Sequence, residues 1–104
     1  MTIRTFQNHS PTIDASAYID ETALVIGQVT IGADSSVWPM TLIRGDINDV
    51  TIGQRSNIQD ASICHVSHDG PYSPGGAKLT VGNDVTVGHA VVLHACTLED
   101  CCLI

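Results

Sequence analysis

The sequence predicts an all-β solenoid, a chain wound into stacked coils, and three observations predict it. Aliphatic residues recur at Ile13, Ile19, Val25, Ile31, Val37 and Ile43, a step of six held without a slip. Four positions after each stands a small or β-branched residue: Ala17, Ala23, Val29, Ser35, Thr41 and Ile47. Gly27, Gly32, Gly53, Gly82 and Gly88 cluster near these positions, as expected where a backbone turns tightly or takes positive φ. A step of six is not helical, but it is a multiple of the strand alternation of two, so each hexad holds a short extended piece. The recurring aliphatic then fills the interior of a prism and the smaller residue sits inward beside each turn, as in a hexapeptide-repeat β-helix.

Taken in order, residues 1–12 are a lead-in, and the first run of hexads follows. The period restarts at Ile52, Ile58 and Cys64 after an insertion around Asn48 to Val50. It breaks from Ser67 to Lys78, where Asp69-Gly70-Pro71 and Ser73-Pro74-Gly75-Gly76 are turn signals, so 66–79 reads as a loop insertion. It resumes at Val81, Val87 and Leu93, and after a shortened step of five reaches Leu98 and Ile104. Three hexads make one triangular coil, which gives about four coils and part of a fifth in a single domain, 1–104. The interior columns are Ile13, Ile31, Ile52, Val81, Leu98; Ile19, Val37, Ile58, Val87, Ile104; and Val25, Ile43, Cys64, Leu93. A solenoid leaves its outer edges open unless they are capped. Because Ile104 falls on an interior position, the expectation is that the usual C-terminal coils and helix are lacking, or that other chains cover that edge.

Acidic residues outnumber basic ones 11 to 4, and Arg4, Arg44, Arg55 and Lys78 form no cluster, which argues against nucleic acid as a partner. No basic head with an apolar run opens the chain, and no run approaches the roughly 18 apolar residues of a membrane span. A cytoplasmic protein that does not enter the membrane is expected. Cys64, Cys96, Cys101 and Cys102 lack Cys-x-x-Cys spacing and read as reduced thiols, Cys64 as a core residue.

His89 and His94 lie five residues apart, which on a helix would turn the second about 140° from the first, so a helical zinc motif is excluded. The coil register offers another arrangement. His65 follows Cys64 and His94 follows Leu93, one column on adjacent coils about 4.8 Å apart, close enough to converge on one metal. His89 lies on the preceding face, where a second subunit is better placed to use it. The register therefore predicts a closed trimer with three intersubunit metal sites. Arg44 shares the His65 and His94 column, and Asp46 is placed to hold its guanidinium or to pair with Arg44 of a neighbour. Gln59 shares the column of Trp38 and Gly88, Trp38-Pro39 is expected at the subunit interface, and Asp60 is placed to accept from His89 and fix its tautomer.

Arg44-Gly45-Asp46, then Asn57-Ile58-Gln59-Asp60 leading to His65, then Gly88-His89 and Leu93-His94-Ala95-Cys96, resemble the gamma-class carbonic anhydrase-like proteins of the bacterial hexapeptide-repeat superfamily. The resemblance runs from about Ala23 to Ile104. It implies a left-handed β-helix, although the usual crossover preference is right-handed. It further implies a homotrimer and the metal ligands His65, His89 and His94, with zinc, or iron or cobalt, as cofactor. The implied activity is the reversible hydration of carbon dioxide, a small-molecule substrate, for which an open position on a three-histidine metal is suited. Gln59 would orient the substrate, Arg44, Asp46 and Asp60 would hold the interface and ligands, and Asn57 would support a turn. Where the resembling enzymes carry acidic proton shuttles this chain has Ile47 and His68, and of the two only His68 is able to carry a proton. Alternative activities on the same scaffold are acyl transfer or thioester hydrolysis, and a third reading is a non-catalytic trimeric metal-binding protein.

Overall fold

In the computed structural model, which describes residues 2–104, every named strand pairs with its neighbours in parallel. The strands are β1 (Ile3–Arg4), β2 (Thr12–Ile13), β3 (Tyr18–Ile19), β4 (Leu24–Ile31), β5 (Ser36–Val37), β6 (Leu42–Ile52), β7 (Asn57–Ile58), β8 (Ile63–His65), β9 (Leu79–Val81), β10 (Thr86–Val87), β11 (Val92–His94) and β12 (Thr97–Leu98). Strands β3, β5, β7 and β10 stack as one face. The long strands β4 and β6 pass around a corner, so that β1, β8 and β11 extend them on one side of it and β2, β9 and β12 on the other. The result is a β-solenoid of about five turns, with no helix among the described residues.

The register is the one that the period of six predicts. Ile13 pairs with Ile31, Ile31 with Ile52, Ile52 with Val81 and Val81 with Leu98. Val25, Ile43, Cys64 and Leu93 align likewise, as do Ile19, Val37, Ile58 and Val87. Val25, Ile31, Val37, Ile43, Ile52, Ile58, Cys64, Val81 and Val87 are buried, each aliphatic contributing about 1.5–3 kcal/mol. Part of the lead-in adds a strand: Ile3 pairs with Val25.

The inward small positions do more than fill space. Ser35 Oγ donates to the Gly53 carbonyl at 2.6 Å and accepts from the Ser56 amide at 3.0 Å. Ser56 Oγ repeats the pattern one coil on, to the Gly82 carbonyl at 2.7 Å and from the Val85 amide at 3.0 Å. Ser62 bridges Gly88 and Val91 in the same way. These hydroxyls join consecutive coils at the corners, beside backbone bonds such as those from the Arg55 amide to the Ala33 carbonyl and from the Asp84 amide to the Gln54 carbonyl.

Two expectations are corrected. Ile47 does not take an inward place: it is 44% exposed, and Val50 is buried instead. Gly27 pairs with Gly45 but Val29 pairs with Val50, so three extra residues bulge out of β6 between them. The second concerns the glycines. Gly32, Gly53 and Gly82 lack positive φ; their reason is contact with the next coil, since a Cβ on Gly32 would lie 2.7 Å from the Gly53 carbonyl. Of the five, Gly27 does take positive φ, at +79°, and positive φ at the corners otherwise falls on non-glycine residues, among them Asp34, Arg55 and Asp84 at one corner and Met40, Ala61 and Ala90 at another.

The remaining interruption, after His65, closes on itself through antiparallel bridges between Ser67 and Ala77 and between Gly70 and Ser73. All four cysteines are free. Burial pushes the Cys64 thiol up to about 12, which keeps it an unreactive core group. No helix among the described residues is long and apolar enough to cross a membrane.

Candidate metal centre

Strands β8 and β11 set His65 directly against His94, because Cys64 and Leu93 beside them point inward and alternation sends the next residue out. Their ring centroids lie 5.2 Å apart, tilted by 55°. The long strand β6 adds the third and fourth members of this cluster. Asp46 Oδ1 meets His65 Nε2 at 2.9 Å, and Arg44 donates to Asp46 Oδ2 at 2.6 Å. Of the two pairings open to Asp46 from sequence, the chain makes the internal one. Burial alone would raise the Asp46 carboxyl, but the His65 hydrogen bond, its own backbone hydrogen bond and the charge of Arg44 outweigh it and hold its pKa below the ordinary value.

His89 belongs elsewhere. Its Nδ1 lies 3.2 Å from Asp60 Oδ1, and its side chain is 70% exposed. With Ser36, Trp38, Asn57, Gln59 and Asp60 it lines an open groove of about 440 Å³ on the face of β5, β7 and β10. There Gln59 Nε2 donates to Asn57 Oδ1 at 3.0 Å and Asn57 Nδ2 to Thr86 Oγ1 at 3.2 Å. Asn57 therefore links Gln59 to Thr86 of the next coil. Trp38 stacks on Tyr18 at 5.1 Å between centroids and remains 39% exposed.

One chain thus carries two separate groups of predicted site residues: His65, His94, Asp46 and Arg44 in one, and His89, Asp60, Gln59 and Asn57 in the other. His68 joins neither. It lines a hollow of about 250 Å³ within its own loop, with Ser67, Gly70, Pro71, Tyr72 and Ser73. Among the described residues no group of three His, Cys, Asp or Glu side chains is able to hold a metal within one chain.

The structure also brings in a residue that sequence reasoning passed over. Ser67 Oγ lies 3.0 Å from His94 Nε2. Its only signal in the sequence is its place at the break in the period.

The outward residues preceding each interior position differ from face to face. One column reads Thr12, Thr30, Thr51, Thr80 and Thr97, another Tyr18, Ser36, Asn57 and Thr86. The third, on the face of His65 and His94, reads Leu24, Leu42, Ile63 and Val92, of which Ile63 is 41% and Val92 68% exposed.

No family model matches the chain. Individual proteins do. The chain is 47% identical over 96 residues to protein YrdA of Escherichia coli, covering 92% of this chain and 52% of YrdA. It is 43% identical over 94 residues to the mitochondrial gamma carbonic anhydrase 1 of Arabidopsis thaliana, covering 88% of this chain and 33% of that protein. The crystal structure of a hexapeptide transferase family protein from Anaplasma phagocytophilum superposes with a TM-score of 0.81 at 34% identity, covering 92% of this chain and 52% of that one. The chain is a gamma carbonic anhydrase-like protein of the hexapeptide-repeat superfamily. Its solenoid is accordingly the left-handed β-helix of that superfamily. The chain spans about half the length of YrdA and a third of the Arabidopsis protein.

Proposed function

We propose that this chain acts in the cytoplasm as a homotrimer that reversibly hydrates carbon dioxide. In this reading His65 and His94 of one subunit and His89 of the partner subunit hold a metal ion. The observation that carries it is the division of the predicted ligands: two stacked imidazoles on one face and a third turned into a groove on another. Imidazole nitrogens are donors that zinc accepts readily, and three of them leave a fourth position open. Zinc is the first choice of metal, with iron or cobalt as the alternatives. What such a metal supplies when bound is acidity, lowering the pKa of its water from 15.7 to about 7.

The chain's own residues do the rest. Asp60 accepts from Nδ1–H of His89, which fixes the tautomer whose Nε2 carries the free lone pair. Asp46 holds His65 and is itself held by Arg44. Gln59, braced by Asn57, presents its amide in the groove that contains His89 and orients the substrate there. His68 carries protons between the site and solvent from its exposed loop.

Stopped-flow hydration of carbon dioxide by zinc- or iron-loaded protein tests the proposal. The expected result is a rate above buffer that His65→Ala removes together with metal uptake; metal-loaded protein with no such rate would sink it. The likeness to a hexapeptide transferase family protein favours one second reading, acyl transfer or thioester hydrolysis. Calorimetric binding of acetyl-coenzyme A separates the two. If metal is bound stoichiometrically and His65→Ala lowers only thermal stability, a non-catalytic metal-binding trimer remains.

A further inference from the structure

The two interruptions of the hexad converge on the two stacked histidines. The bulge of β6 begins beside Asp46, which meets His65, and the loop after His65 begins with Ser67, which meets His94. The interruptions are also tied to each other. Asn48 Nδ2 donates to the Ser67 carbonyl at 3.3 Å, and that same carbonyl accepts from the Ala77 amide at 3.0 Å. The Ser67 amide donates to the Ala77 carbonyl at 2.9 Å. Gly76 packs into this crossing at φ +72°, where a Cβ would lie 2.8 Å from the Ser67 carbonyl and 2.9 Å from Asn48 Nδ2. Three hydrogen bonds therefore fix the backbone of Ser67 at the root of a loop whose tip, Tyr72, is fully exposed. The hydroxyl so fixed meets the ring of His94 at Nε2.

We propose that Ser67 is a positioning residue of the metal centre, its hydroxyl holding Nε2 of the His94 imidazole and so leaving Nδ1 as the nitrogen for ligation. The proposal rests on the metal reading given above. His94 is exposed and, beside its ring contact with His65, has the Ser67 hydroxyl as its hydrogen-bond partner, whereas His65 and His89 are each held by a carboxylate. Ser67 completes the set, and being neutral it orients the ring without adding a further negative charge beside Asp46. Partners of this kind affect metal affinity by roughly 10- to 100-fold.

The test is a competitive chelator titration of the full chain with zinc, joined to the visible absorption spectrum of the cobalt-loaded protein. Ser67→Ala is expected to weaken zinc binding at least about tenfold and to change the cobalt bands, while the melting temperature without metal stays as in the wild type. Ser67→Thr, which keeps the hydroxyl, is expected to restore both. Asn48→Ala, which loosens Ser67 and touches no ligand, should weaken binding in the same direction. Unchanged affinity in Ser67→Ala would overturn the proposal. So would tighter binding, which would mean that the hydroxyl competes with the metal for the ring. A loss that Thr does not restore and that tracks metal-free instability would reduce Ser67 to a loop anchor. If His94→Ala abolishes uptake while Ser67→Ala leaves it unchanged, only the role of Ser67 fails. Wild-type protein that takes up no metal removes the metal reading as well.

Discussion

Ser56 is buried in an apolar prism, and its hydroxyl has a donor and an acceptor waiting, the Val85 amide and the Gly82 carbonyl. Ser56→Ala would leave both backbone groups without that partner at a corner that water does not reach. The expected loss is about 1–3 kcal/mol in urea unfolding, with the fold and the histidine cluster unchanged. Ser56 follows Ile52 by four, the same step that places Ser35 after Ile31, but its hydrogen bonds were not legible, because they depend on which corner faces which coil. Asp14 and Asp20 show a related device on the first coil. The Asp14 carboxylate accepts from the Ser16 amide and hydroxyl, and Asp20 from the Thr22 hydroxyl and amide and from Tyr18, so both pKa values fall below the ordinary one. A depressed folded pKa gives stability that is present above the unfolded value of about 3.9 and lost as pH falls through the folded one. Melting temperature followed from about pH 5 to about pH 2 should therefore decline, and Asp20→Asn should flatten the part of that decline which Asp20 causes.

Among the elements, the hexads and the places where they break were legible, and the path the chain takes within each break was not. A period of six identifies Val25, Ile43, Cys64 and Leu93 as one column because each burial is repeated on the next coil. No repeat fixes the bulge at Ile47 or the loop after Val66, so Ile47 was assigned inward when the three extra residues carry it out. The partners of the histidines suffered for the same reason. His65 and His94 were found through their column, whereas Ser67 reaches His94 across 27 residues from a segment with no register. The glycines give a sharper measure of what the repeat demands. Gly53 is not in a left-handed turn; a Cβ there would lie 2.6 Å from the Gly82 carbonyl, a backbone atom that cannot move aside alone. Gly53→Ala should cost about 1–3 kcal/mol or more in chemical unfolding, although alanine has the better intrinsic backbone entropy. An unchanged unfolding midpoint would mean that the coils separate freely at this corner.

At the scale of the whole molecule, the three outward columns indicate which face a neighbour would cover in the proposed trimer. The threonine column and the mixed column of Ser36, Asn57 and Thr86 present hydroxyl and amide groups that water satisfies. The column of Leu42, Ile63 and Val92 presents only aliphatic groups, and it lies on the face of the His65 and His94 pair. Met40, 71% exposed, and Trp38 continue the apolar surface at the neighbouring corner toward His89. If the trimer forms through this surface, one substitution should break assembly and metal binding together. Val92→Lys places a charge where the side chain is 68% exposed in the single chain, so the isolated coil loses little. Between subunits the same charge would be buried without a partner, which is far more costly. Sedimentation velocity should therefore show Val92→Lys as a monomer with an unchanged far-ultraviolet spectrum and no bound zinc, although none of His65, His89 and His94 has been altered. Thr51→Lys, on the threonine column, provides the contrast and should remain a zinc-loaded trimer. A Val92→Lys protein that still sediments as a trimer would move the interface to another face, and a monomer that still binds zinc would place the third ligand within the same chain.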